Sequence, residues 1–129
     1  MDKELFDAAM AARQNAYAPY SKFAVGAAVR TLDGTIFTGC NVENASYGLS
    51  SCAERNAIFA AIGSGYSDLI TLCVVANTDK PIAPCGACRQ VMLEFKIQEV
   101  WLANCAGENR KMTMVDLLPF SFSKKDLEK

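Results

Sequence analysis

The stretch Leu69-Ile70-Thr71-Leu72-Cys73-Val74-Val75-Ala76 decides the fold. It is a continuous apolar run with β-branched residues, the composition of a strand buried on both faces. Before it, a helical pattern runs from about 51 to 62 and stops at Gly63-Ser64-Gly65, where glycine supplies C-cap conformations. After it, residues 86–95 suit a second helix and 99–103 a further strand. Strands alternating with helices imply a layered α/β domain, with parallel pairing in the strand–helix–strand units.

Further out, Leu5, Ala8, Ala9, Ala12 and Ala16 share one face of a helix over 2–17, which Pro19 brings to an end. Residues 23–31 and 35–42 read as two strands joined at Leu32-Asp33-Gly34, an antiparallel hairpin that makes the sheet mixed. A fifth strand is expected around 110–112. Thr113-Met114-Val115-Asp116 has the form of a capping box opening a short last helix. No linker, repeat or low-complexity tract interrupts the chain, so one domain over 1–129 is expected.

Composition narrows the chemistry. The 129 residues are 51% hydrophobic and 21% charged with a net charge of −1, which suits a packed core and leaves no basic footprint for nucleic acid or an anionic membrane. Histidine is absent, which excludes a Ser-His-Asp triad, a Cys-His dyad and an HExxH metal site. The opening Met1-Asp2-Lys3-Glu4 carries both signs of charge, unlike a secretory signal, and no apolar run is long enough to span a membrane. The six cysteines are therefore expected as reduced thiols in the cytoplasm.

Cys85-Gly86-Ala87-Cys88 places two thiols on one side of a helix start. Alone, the pair is open to metal ligation, redox chemistry or plain burial. Cys52-Ala53-Glu54-Arg55 opens the other central helix, and helices that follow strands of one sheet can start at the same edge. Three thiolates there would make a tetrahedral zinc site with one position left for water, the form typical of catalytic sites. Cys40 is the alternative fourth ligand, which would instead make a closed, structural site in an interaction module; Cys73 and Cys105 read as packing residues. Glu54, in the first helical turn, is placed to move protons beside an open site. Three thiolates on a dication leave one net negative charge, which Arg55 could offset by donating to a sulfur, with Arg89 as a second candidate.

Taken together, Cys52-Ala53-Glu54-Arg55 and Pro84-Cys85-Gly86-Ala87-Cys88-Arg89-Gln90-Val91 resemble the zinc-dependent cytidine deaminases, in their small homotetrameric, three-cysteine branch. Tyr17-Ala18-Pro19-Tyr20-Ser21-Lys22-Phe23, Gly39-Cys40-Asn41-Val42-Glu43-Asn44-Ala45 and the segment from Thr113 to Phe122 extend the resemblance over most of the chain. Ala83 departs from it, standing where a serine is expected. The resemblance implies a three-layer α/β/α domain with a mixed five-stranded sheet and one Zn²⁺ per subunit on Cys52, Cys85 and Cys88. It implies hydrolytic deamination of cytidine and 2′-deoxycytidine by a zinc-bound hydroxide, with Glu54 as proton shuttle and Arg55 compensating thiolate charge. It further implies that Asn41 and Glu43 bind the ribose, that Phe23 stacks on the pyrimidine and that the Ala53 amide contacts the base carbonyl. Tyr47 and Phe122 would complete a neighbour's site in a homotetramer. A blasticidin-type deaminase is the nearest enzymatic alternative.

Overall fold

The computed structural model describes residues 1–128. Helix α1 spans Lys3–Arg13, capped by the Asp2 carboxylate accepting from the Leu5 amide at 3.1 Å, and buries Leu5, Ala9 and Ala12. It stops well short of residue 17. The Tyr17 amide donates to the Asn41 carbonyl and the Glu43 amide to the Tyr17 carbonyl, both at 2.9 Å, so a pairing distant in sequence takes this stretch out of the helix.

Strands β1 (Val25–Thr31) and β2 (Ile36–Cys40) form the expected hairpin but are shorter than 23–31 and 35–42. The Asn41 side chain explains the trimming. Its Oδ1 accepts from the Val25 amide at 2.9 Å and its Nδ2 donates to the Phe23 carbonyl at 2.8 Å, so a side chain replaces the backbone ladder there. Helix α2 (Ala53–Gly63), strand β3 (Leu69–Ala76), helix α3 (Gly86–Glu94), strands β4 (Glu99–Asn104) and β5 (Asn109–Met112) and helix α4 (Met114–Leu117) follow. The capping box at Thr113 and Asp116 is formed, and 3₁₀ turns at Tyr47–Leu49 and Lys124–Leu127 complete the order.

The sheet order is β2-β1-β3-β4-β5, antiparallel except for the parallel β3–β4 pair. On one face α1 packs Leu5 and Ala9 over Ala28, Cys73, Val75 and Ala103. On the other, Ala57 and Ile58 of α2 and Cys88 and Met92 of α3 cover Ala27, Val29, Leu72, Val74 and Leu102. Strand β3 is thus covered on both faces, as its unbroken apolar sequence requires, in a three-layer α/β/α arrangement. Each fully buried Leu, Ile or Val contributes about 1.5–3 kcal/mol against the entropy of ordering the chain.

Two glycines set how closely the helices approach. A Cβ on Gly39 would lie 2.4 Å from the Ala57 nitrogen and 2.6 Å from the Ala53 carbonyl oxygen, so α2 rests directly on the β2 backbone. A Cβ on Gly26 would lie 2.1 Å from the Ala9 carbonyl oxygen, so α1 does the same on the opposite face.

Candidate active site and metal centre

Strands β2 and β3 are not neighbours, because β1 lies between them. Being antiparallel to both, β1 leaves them pointing the same way, and the helices that follow them open at the same edge of the sheet. Cys52 is the N-cap of α2 and Cys85 the N-cap of α3. Neither side chain makes a capping hydrogen bond. Serine, threonine or aspartate would serve the helix better there, so local preference has yielded to the free sulfurs.

The Sγ atoms of Cys52 and Cys85 are 3.8 Å apart, those of Cys85 and Cys88 3.5 Å apart, and all three lie within 4.8 Å of one another. A tetrahedral ion with sulfur at ~2.3 Å separates its ligands by about 3.8 Å, so the triad fits one zinc ion. All six cysteines are free. Cys40, at the end of β2, is not in the group among the described residues, so the closed four-ligand site of an interaction module is not formed. Cys73 is fully buried under α1, its thiol pushed up to about 12 by burial, and Cys105 packs at the edge of the same cluster.

The Cys52 and Cys88 thiols shift one another's titration. The Cys88 thiol supports a thiolate on Cys52, and Arg55 adds to the effect with Nη2 donating to the Cys52 sulfur at 3.3 Å; Cys52 is lowered to about 5. Cys88, the donor and fully buried, is pushed up. A divalent ion displaces such protons on binding. Arg55 thus lies against the Cys52 sulfur.

Arg89 does not share that role. Its Nε donates to the Pro84 carbonyl at 2.9 Å and its Nη1 to the Leu117 carbonyl at 2.7 Å, so its guanidinium serves the backbone.

Glu54 is 5% exposed at the floor of a cavity of about 280 Å³. Burial raises its pKa, and the negative charge on Cys52 adds to that, partly offset by hydrogen bonds from its own amide and from Cys88. Phe23, Asn41, Glu43, Ala53, Cys52 and Cys85 line the same cavity, with Ile82, Ala83 and Pro84 as an apolar wall. Glu43 behaves in the opposite sense. The Ser21 hydroxyl, the Ser21 amide and the Tyr20 amide all donate to its carboxylate and hold it below the usual range.

Tyr47 and Phe122 lie outside this cavity, 75% and 59% exposed. Tyr47 packs edge-on to Tyr20 with ring centroids 6.0 Å apart, and the Phe122 carbonyl accepts from Gln90 Nε2 at 2.8 Å. Two residues escaped the sequence reading. Asn56, on α2, donates through Nδ2 to the Cys40 carbonyl at 2.7 Å and to the Ser51 carbonyl at 3.4 Å, fastening the end of β2 to the start of the helix that Cys52 caps. Ser21 joins Glu43 to the Phe23 amide, which donates to its hydroxyl at 3.0 Å. Neither belongs to a spacing pattern; only the folded chain brings their partners to them.

Residues 1–104 match the family described as the cytidine and deoxycytidylate deaminase zinc-binding region. The chain is 47% identical over 130 residues to a cytidine deaminase of Halalkalibacterium halodurans, covering 98% of each, and 51% identical over 118 residues to one from Sporosarcina psychrophila, covering 90% and 87%. It superposes on the crystal structure of a cytidine deaminase from Burkholderia pseudomallei with a TM-score of 0.91 at 54% identity, over 95% of this chain and 99% of that one. None of the described helices is long and apolar enough to cross a membrane. Sequence and architecture agree with the thiol cluster, and the chain belongs to the cytidine and deoxycytidylate deaminase family of zinc-binding hydrolases.

Proposed function

We propose that this chain hydrolyses the exocyclic C4–N4 bond of cytidine and 2′-deoxycytidine, giving uridine or 2′-deoxyuridine and ammonia in a pyrimidine salvage role. The observation that carries the proposal is a buried carboxylate, Glu54, in a nucleoside-sized cavity whose lining includes Cys52 and Cys85, two of the three convergent thiols. Cys52, Cys85 and Cys88 hold the zinc, which when bound supplies the Lewis acidity that makes water a nucleophile near neutral pH.

Glu54 moves the protons. Its carboxylate takes one from the attacking water and delivers it to N3, which makes C4 electrophilic while the hydroxyl adds there. It then carries the remaining hydroxyl proton to the exocyclic amine, the C4–N4 bond breaks and ammonia leaves. Burial favours this work, because a carboxyl group whose pKa is raised both accepts and returns a proton readily. Arg55 keeps the thiolates from over-neutralising the ion.

Phe23 stacks on the pyrimidine, the Ala53 amide meets the base carbonyl, and Asn41 and Glu43 bind the ribose; all four line the cavity. A neutral nucleoside needs no basic groove, in keeping with the net charge of −1. The exposure of Tyr47 and Phe122 supports a homotetramer in which they complete a neighbour's site. The six free cysteines support a cytoplasmic location.

The test is Glu54→Gln. Uridine formation should fall by ~10²–10⁴-fold with one zinc per chain retained. A variant that keeps both its zinc and near-full turnover would refute the assignment.

A further inference from the structure

Arg89 follows the ligand Cys88 directly, yet its hydrogen bonds lead away from the sulfurs. Nε donates to the Pro84 carbonyl at 2.9 Å and Nη1 to the Leu117 carbonyl at 2.7 Å. Pro84 is buried, and its carbonyl belongs to the peptide plane that carries the Cys85 nitrogen and Cα, so a bond to that oxygen anchors the backbone from which the ligand side chain springs. Leu117 is the last residue of α4 and is also buried.

The next side chain on α3 extends the grip. Gln90 Nε2 donates to the Phe122 carbonyl at 2.8 Å, so consecutive residues hold both ends of the segment 117–122. Between those ends Phe120 has φ +50°, a left-handed conformation that a residue with a large side chain keeps only where its surroundings impose it. Its ring is fully exposed, so packing of the ring within this chain does not impose it. Phe120 lies between the two anchored carbonyls, at Leu117 and Phe122.

We infer that Arg89 is a positioning residue that ties the ligand turn at Cys85 to the start of the C-terminal segment 117–122 at Leu117, so that metal retention and the course of that segment both depend on one guanidinium, while Gln90 holds its far end at Phe122. The inference rests on the reading above, in which Cys52, Cys85 and Cys88 hold zinc and Phe122 reaches a neighbour's site. The guanidinium holds one carbonyl through Nε and the other through Nη1, a fixed planar fork of donors that a lysine ammonium does not reproduce.

The test compares zinc-loaded wild type, Arg89→Met, Arg89→Lys and Gln90→Leu by the rate of zinc transfer to a colorimetric chelator and by hydrogen exchange over 117–122. Arg89→Met should lose zinc affinity by about 10–100-fold, the range for groups that support metal ligands, and exchange faster across the segment. Arg89→Lys, which keeps the charge and the aliphatic stem and carries the test if the methionine variant does not fold, should fail to restore both properties together. Gln90→Leu should speed exchange near Phe122 while zinc release stays within about twofold of wild type, an effect well below the supporting-group range.

Wild-type zinc release in either Arg89 variant would overturn the inference, as would zinc loss with exchange over 117–122 unchanged. Failure of the underlying reading looks different: wild type holding less than one zinc, or Cys88→Ala keeping it, would overturn the ligand assignment and this inference with it.

Discussion

Glu54 and Glu43 line the same cavity and are moved in opposite directions. Glu54 sits on the first turn of α2, almost completely buried, and its pKa is raised chiefly by the loss of water. Glu43 sits beyond the end of β2, wrapped by the Ser21 hydroxyl and two loop amides, and its pKa is lowered by those donors. The floor of the cavity is thus built from helix starts packed on the sheet, whereas its rim is built from loops that hold one another by side chain-to-backbone bonds. Proton transfer needs a carboxyl group that changes state near working pH. In the function proposed above, ribose binding needs one that stays charged and aimed.

Among substitutions that leave the proposed reacting groups in place, the largest expected effect comes from disturbing the floor. Gly39→Ala puts a Cβ into the α2 backbone, and overpacking of this kind costs about 3 kcal/mol at the upper end of its usual range. Because the displaced turn carries Cys52, Ala53 and Glu54, kcat/KM should fall by about 10²-fold beyond any loss of folded protein. Gly26→Ala meets α1 as closely on the opposite face, so it should lower the thermal midpoint while the folded fraction keeps its kcat/KM. Equal activity losses in the two variants would erase the distinction between floor and far face.

At the rim, Glu43→Gln keeps the shape but removes the charge. A charge-assisted hydrogen bond to a ribose hydroxyl corresponds to a rise in KM on the order of tenfold, with kcat little changed, the reverse of the pattern expected for Glu54→Gln. Steady-state kinetics with cytidine would show the split, and a fall in kcat alone would place Glu43 in the proton chemistry instead.

The smallest effect lies far from both ends, at Asp2. Its pKa is lowered, first by the hydrogen bond from Arg30, so its contribution to stability is present above the unfolded value of 3.8 and is lost as pH falls through the lower folded value. Asp2→Ala should cost about 1 kcal/mol at neutral pH as a lost helix cap, with the gap to wild type closing in acid. Chemical denaturation at neutral pH and below pH 3.8 would measure it, and a gap that widened in acid would reverse the sign.

How much was legible follows the range of the interactions. Strand β3 has the bounds its apolar run predicts, because burial on both faces is written into its composition. The hairpin, both cysteine-bearing helix starts and the Thr113 capping box were equally readable, since each depends on neighbours a few residues away. The end of α1 was not, because Tyr17 pairs with the backbone of Asn41 and Glu43. The partners of Arg89, second candidate after Arg55 for a thiolate, are not legible for the same reason: the fold brings it the Leu117 carbonyl, 28 residues away in the chain.

By itself the sequence determined which side chains can ligate, since Cys85 and Cys88 are brought together by one turn of helix, and it determined that histidine takes no part. Only the tertiary structure decided that Cys52 completes the group, that Glu54 loses its water and that Tyr47 and Phe122 stay outside their own chain's cavity. Those outcomes depend on the direction of β2 relative to β3 and on the close approach of α2 at Gly39, geometry set by contacts between segments far apart in the chain.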